Sequence, residues 1–227
     1  MKRALNIGCG RNTIQSTEEI QWTNVDSYER EAKLDVTCDL TKVFPFEKDT
    51  YDYIYAEQFI EHLNWIEGQK FLRNCFRVLK RNGILRLVLP HYKKIFQKYL
   101  EGDYEFFEVF LKGLNEGDLP YYCSVYDNPE KIKKERKENP PPRWHTSNRL
   151  ENRKRLELRC RQYRYPIELV HYFTHQYGEH LTLWDYESLR GHMLEIGFLN
   201  VISKDIKEID SHAPTRITSS LYLEAVK

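Results

Sequence analysis

Apolar residues come in short, spaced runs through the first 90 positions, and most runs stop at a turn residue or an acid. Residues 4–8, 22–26, 34–38 and 51–56 have the length of strands rather than helices. Residues 84–89 are almost unbroken in apolar character, which suits a strand covered on both faces at the centre of a parallel sheet. Between these last two, Phe59, Leu63, Ile66, Phe71, Leu72, Cys75, Phe76 and Leu79 recur at helical spacing. They predict a helix over 59–80, closed by Asn82-Gly83 with Lys80 and Arg81 at its negative end. A different regime begins after Pro90. Residues 91–115 predict aromatic-rich helix, residues 186–196 a further helix before Gly197-Phe198, and residues 200–206 and 219–226 two last strands. Strands alternating with helices predict an α/β fold with a mostly parallel sheet. The stretch 91–180 interrupts that alternation. It is expected to be an α-rich cap inserted at the carboxyl end of the sheet, the end where ligands bind in such folds.

Composition narrows this picture. At 227 residues the chain fits a single domain, 1–227, carrying one insertion. Charged residues make up 30% and the net charge is +1, so no global nucleic-acid signature is present. The charge is uneven, however. Residues 130–164 hold thirteen Lys or Arg against five Asp or Glu, a net of +8, which leaves −7 for the rest. This stretch reads either as a solvated helix face or as a lid that attracts an anionic acceptor. No run is apolar enough to span a membrane, and the first strand starts too early to leave room for a signal peptide. The five cysteines are scattered, with no Cys-x-x-Cys pair, which points away from a zinc knuckle and toward reduced thiols in the cytoplasm.

The chemistry starts at Leu5-Asn6-Ile7-Gly8-Cys9-Gly10 and at Asn24-Val25-Asp26. Glycines after a strand let the backbone turn tightly and approach a ligand closely. An acid at the end of the next strand, sixteen residues beyond Gly10, is placed to accept both hydrogen bonds of a ribose diol. A nicotinamide dinucleotide would ask for a third glycine where Thr13 stands, and for a helix start under its pyrophosphate.

Taken in order, several segments together resemble the class I S-adenosylmethionine-dependent methyltransferases, especially their large type 11 group. They are Leu-Asn-Ile-Gly-Cys-Gly (5–10), Asn-Val-Asp (24–26), Cys-Asp-Leu (38–40), Phe-Pro-Phe followed by Tyr-Asp-Tyr-Ile-Tyr-Ala-Glu (44–57) and Ile-Glu-His-Leu (60–63). Arg-Val-Leu-Lys-Arg-Asn-Gly-Ile-Leu-Arg-Leu-Val-Leu-Pro (77–90) and the segment 186–198 complete the set. The resemblance covers about 1–90 and 181–227 and leaves the middle uncovered. It implies a Rossmann-like three-layer sandwich around a seven-stranded sheet whose last hairpin is reversed, with S-adenosylmethionine as cofactor. By the same resemblance, Gly8, Cys9 and Gly10 would meet the methionine part of the cofactor through their backbone, with Asn6 among the binding residues. Asp26 would bind the ribose, Asp39 and Leu40 the adenine, and Ala56 and Glu57 would border the transferred methyl. Asn12 stands where many members carry a third glycine, and the link between the first two strands is unusually short.

Residues that act on the acceptor are less defined. Gln58, Glu61 and His62 at i, i+3 and i+4 would share one face of the predicted helix. They partly match the Glu-x-x-Glu-His metal site of some O-methyltransferases, but Gln is a poor ligand, so a divalent metal is not favoured and bracing of the fold is the simpler role. His62, His91 and His180 are the candidate bases, with His180 first. His171 and His175, beside Tyr172, Phe173 and Tyr177, read as packing residues. Asn139-Pro140-Pro141 imitates an amino-methylation motif but lies far from the fourth strand and reads as a turn. Trp144, Tyr163 and Tyr165 are candidates to stack on a sugar or base. The expected activity is O-methylation of a small molecule, foremost a sugar or glycan hydroxyl, in part from similarity to methyltransferases of polysaccharide assembly. The alternatives are an RNA methyltransferase using residues 130–164 and a catalytically silent member that binds cofactor or protein. The oligomeric state is left open.

Overall fold

A computed structural model of the chain describes residues 1–28, 33–103, 106–107, 166–204 and 220–227. The chain divides into two compact units, one of residues 1–91 and 181–227, the other of residues 92–180.

The first unit is built on seven strands: β1 (Lys2–Ile7), β2 (Ile20–Asp26), β3 (Val36–Thr37), β4 (Tyr51–Glu57), β5 (Leu79–Pro90), β6 (Leu199–Lys204) and β7 (Ser220–Val226). Their order in the sheet is β3-β2-β1-β4-β5-β7-β6. β7 runs antiparallel to both β5 and β6, while β1 to β5 pair in parallel. This is the Rossmann-like sheet with a reversed last hairpin. Side chains alternate across it, so Leu5, Ile7, Ile54, Ala56, Leu85, Leu87, Leu89, Leu221 and Leu223 share one buried core. That core is closed by Phe71, Leu72, Cys75 and Val78 of α1 (Trp65–Val78) and by Leu189 and Met193 of a helix over Tyr186–Ile196.

The helix after β4 is shorter than its periodicity predicts. Ile60–His62 form a single 3-10 turn, and α1 begins at Trp65. The cause is a capping box: the Asn64 side chain accepts from the backbone N–H of Ile66 and Glu67, each at 3.0 Å, and Glu67 accepts from Asn64 N–H at 3.2 Å. Such a cap contributes about 1 kcal/mol and fixes where the helix starts. The other end also differs. Leu79 is extended, fully buried and paired with Tyr51, so α1 stops at Val78 and the chain enters β5 early. Asn82-Gly83, expected as the helix stop, sits inside β5. Asn82 takes a positive φ of 63° there and its N–H donates to Lys227 O at 2.8 Å. β3 keeps only two of its five predicted residues.

In the second unit, α2 (Tyr92–Glu101) and α3 (Pro166–His175) enclose a small core of Ile95, Phe107, Leu169 and Val170. The helix predicted over 91–115 is thus observed as α2, with residues 108–115 outside the described ones. The basic stretch 130–164, Asn139-Pro140-Pro141, Trp144, Tyr163 and Tyr165 also lie outside them. The helix over Tyr186–Ile196, α4, belongs to the first unit. It starts at an Asp185–Ser188 capping box and ends at Gly197, whose φ of 114° only glycine adopts readily. Among the described residues no helix is long and apolar enough to cross a membrane.

Candidate cofactor site

The loop after β1 carries the two glycines, and they do different things. Gly8 has φ 67°, and a Cβ there would lie 2.3 Å from Cδ2 of Phe59. Its place is therefore set by the Phe59 ring packed against it. Gly10 has φ 55°, and a Cβ there would meet nothing within 4 Å. It presents open backbone, a cradle that fits close approach by a ligand. Next to it, Asp26 is buried at the end of β2, where Oδ2 accepts from Gly10 N–H at 2.7 Å and Oδ1 from Ser27 N–H at 2.6 Å. Each carboxylate oxygen offers two lone pairs, so both keep acceptor capacity after these bonds. Residues 11–19 hold no helix, so the loop offers no helix N-terminus to a pyrophosphate.

The remaining predicted residues fall into groups. Asn6 is buried, and its amide nitrogen donates inward, to Asn12 O at 2.8 Å and to Asn24 Oδ1 at 2.9 Å. Its N–H groups are thus spent within the protein, one on the loop and one on β2. Cys9 is buried, and its thiol is pushed up to about 12 by burial first and the Asp26 charge second. It stays neutral at ordinary pH and is no nucleophile. Asp39 is exposed, and Oδ1 accepts from the Thr41 N–H at 2.9 Å and the Thr41 hydroxyl at 2.6 Å. Leu40, expected against one face of an adenine, is fully buried in the main core. Its side chain is part of the main core, and residue 40 lies in the turn after β3.

Ala56 is buried at the end of β4, in register with Ile7 on one side and Leu87 on the other. Glu57 follows, half-buried, and accepts a hydrogen bond from the Tyr55 hydroxyl. Burial and then the Glu57 charge raise the phenols of both Tyr55 and Tyr222, so both remain neutral donors. The predicted common helix face of Gln58, Glu61 and His62 does not form. Gln58 lies between β4 and the 3-10 turn with φ 49°, while Glu61 and His62 are within the turn. Glu61 is fully buried, and its carbonyl accepts from Leu181 N–H at 2.8 Å and Thr182 N–H at 3.2 Å. Their spacing is therefore not that of one α-helix face, because the Asn64 cap moves the helix start beyond them.

His91 is half-buried just past β5. In the second unit His180 is held firmly: Nδ1 lies 2.7 Å from Phe173 O and 3.0 Å from the Tyr92 hydroxyl. A carbonyl only accepts, so Nδ1 carries the proton and the buried Nε2 is the basic nitrogen. His171 and His175 are exposed and stack on each other at 4.9 Å, contrary to the packing expected from their aromatic neighbours. Their i, i+4 spacing puts them on one helix face, and both are exposed there.

Asn24 and Phe59 were not singled out by sequence reasoning. For Asn24 the signal is present: a polar residue two positions before Asp26 shares its face of β2.

Residues 5–87 match a family model described as a methyltransferase domain. No curated protein matches the chain. Among solved structures, a SAM-dependent methyltransferase from Archaeoglobus fulgidus is similar with a TM-score of 0.51 and 16% identity, over 100% of this chain and 86% of that one. A complex of a methyltransferase with its methyltransferase activator from Haloferax volcanii is similar with a TM-score of 0.51 and 12% identity, over 99% and 82%. These likenesses show the fold. The matched segment is thus that of a methyltransferase domain, and the sheet is the fold of solved S-adenosylmethionine-dependent methyltransferases. The open Gly10 and the buried Asp26 fit that cofactor.

Proposed function

We propose that this protein transfers a methyl group from S-adenosylmethionine to a hydroxyl of a sugar or glycan, in the cytoplasm. The observation that carries the cofactor half is the 2.7 Å bond between Gly10 N–H and the Asp26 carboxylate, which couples an open loop to a buried acid. When bound, the cofactor supplies an electrophilic methyl carbon. The protein's residues do the rest. Asp26 accepts the ribose hydroxyls with the lone pairs left on its two oxygens. Gly8, Cys9 and Gly10 present backbone to the methionine part, Asp39 takes the adenine amino group, and Ala56 and Glu57 border the methyl. For a hydroxyl acceptor a base is needed. His180 has the chemistry for it, because the Phe173 carbonyl fixes the tautomer that leaves Nε2 basic. His91 and His62 are the alternative bases. The inserted unit, residues 92–180, is assigned to the acceptor. The free thiols Cys9, Cys38 and Cys75 fit a reducing compartment.

The test is release of S-adenosylhomocysteine with a panel of glycans, nucleotide sugars and short RNAs. Turnover on a sugar with RNA inert is expected. Turnover on RNA alone would overturn the sugar assignment and make residues 130–164 the substrate track. Cofactor binding with no turnover on any acceptor would favour a silent, binding-only protein.

A further inference from the structure

The loop between β1 and β2 lacks a helix to stiffen it, yet its backbone is held at regular intervals. Three buried side chains on one face of β1 and β2 do this. Asp26 takes Gly10 N–H at 2.7 Å, Asn6 donates to Asn12 O at 2.8 Å, and Asn24 accepts from Ile14 N–H at 2.7 Å. Asn24 also donates to Ile14 O at 3.0 Å, so its amide pairs with a loop peptide as a neighbouring strand would. The same side chain accepts from Asn6 Nδ2 at 2.9 Å and donates to Asp35 Oδ2 at 3.0 Å. Its two donors and two lone pairs are therefore all used, and it is buried. Asp35 Oδ2 accepts from Asn24 N–H as well, at 2.7 Å. A fully satisfied buried amide permits one geometry, because any shift leaves a desolvated polar group without its bond.

We propose that Asn24, with Asn6, is a positioning residue for the cofactor. It fixes Asn12 and Ile14 so that Gly10 stays bonded to Asp26, and the loop is in its binding shape before the ligand arrives. The structure spends two asparagines where a helix start would otherwise set the loop. Preorganisation of this kind raises affinity by removing the ordering cost from the binding step. The proposal rests on the assignment of this loop to S-adenosylmethionine.

The decisive variant is Asn24→Asp. It keeps the shape and the acceptor for Ile14 N–H, but turns the donor toward Ile14 O and Asp35 into a second acceptor. With S-adenosylhomocysteine as the probe, calorimetry well below the melting temperature should give a Kd raised tenfold or more. A merely structural role would lower the melting temperature and leave that Kd unchanged, and this result would overturn the proposal. Hydrogen exchange on the unliganded wild type needs no variant. The amides of Gly10 and Ile14 should be protected although they lie in no helix or strand. Exchange at unstructured-chain rates would also overturn the proposal. Absence of any S-adenosylhomocysteine binding by the wild type would instead remove the cofactor assignment itself, and the proposal with it.

Discussion

Replacing Gly8 by Ala should damage stability, and replacing Gly10 by Ala should damage binding. Both glycines have positive φ, 67° and 55°, so either substitution carries the left-handed penalty of about 1–2 kcal/mol. Only Gly8 adds a clash. Its Cβ would fall 2.3 Å from Phe59 Cδ2, 2.5 Å from Cγ and 2.9 Å from Cβ, and Phe59 is itself buried in the main core. Forcing extra volume into such packing costs about 1–3 kcal/mol. Gly8→Ala should therefore cost about 2–5 kcal/mol, against about 1–2 kcal/mol for Gly10→Ala. For a chain of this size each kcal/mol moves the melting temperature by about 2–4 °C, so Gly8→Ala should lower it by roughly 4–20 °C. The assay is thermal and urea unfolding of both variants, paired with calorimetric titration of S-adenosylhomocysteine. In a Phe59→Ala background two of the three clashing atoms are gone, and Gly8→Ala should fall back toward the conformational cost alone. A Gly8→Ala protein that melts within a degree of wild type would refute the packing account of this glycine. Gly10→Ala with unchanged affinity would refute the open-cradle account of the other.

Three further outcomes are expected. Asp26→Ala should weaken S-adenosylhomocysteine binding at least tenfold by calorimetry, since it removes charge-assisted hydrogen bonds to the ribose and frees Gly10 N–H; equal affinity would remove the ribose assignment. His180→Ala should lower turnover on the identified acceptor and leave cofactor affinity intact, with full activity excluding it as the base. Stability should fall as pH rises above 9. Cys9 and Cys38 ionise from an ordinary value of 9.0 when unfolded, but burial holds them up to about 12 and about 11 in the fold. Below pH 9 both states keep the protons. Above it only the unfolded chain releases them, so unfolding gains until the folded thiols ionise too. Urea melts at pH 8 and pH 10.5 should show this loss, and Cys9→Ala should reduce it.

The order of elements was legible because short apolar runs, glycines and caps are local signals. Residues 186–196 came out as a helix with the observed ends, since Asp185 and Gly197 mark both termini in the sequence itself. The start of α1 was misplaced for the opposite reason. Phe59, Leu63 and Ile66 keep helical spacing, but Phe59 packs on Gly8 and Leu63 enters the core from non-helical backbone. Periodicity records which side chains are buried, not which backbone carries them. The end of α1 was lost to Leu79, which is extended and pairs with Tyr51 in the sheet, a partner distant in the sequence.

The sequence by itself therefore determined the α/β alternation, the glycine loop with its acid sixteen residues on, and the candidate cofactor. The first two follow from the order and spacing of short local segments, and the cofactor from the resemblance that those segments carry. Only the tertiary structure decided what each residue does there. It turned Leu40 into the core, spent Asn6 on Asn12 and Asn24, and gave Gly8 to Phe59 while leaving Gly10 open. It also made Asn24 the centre of the loop's support, joined to partners ten and eleven residues away on either side. Burial and hydrogen-bond saturation depend on which distant groups the sheet brings together, and no local pattern of polar and apolar positions encodes that.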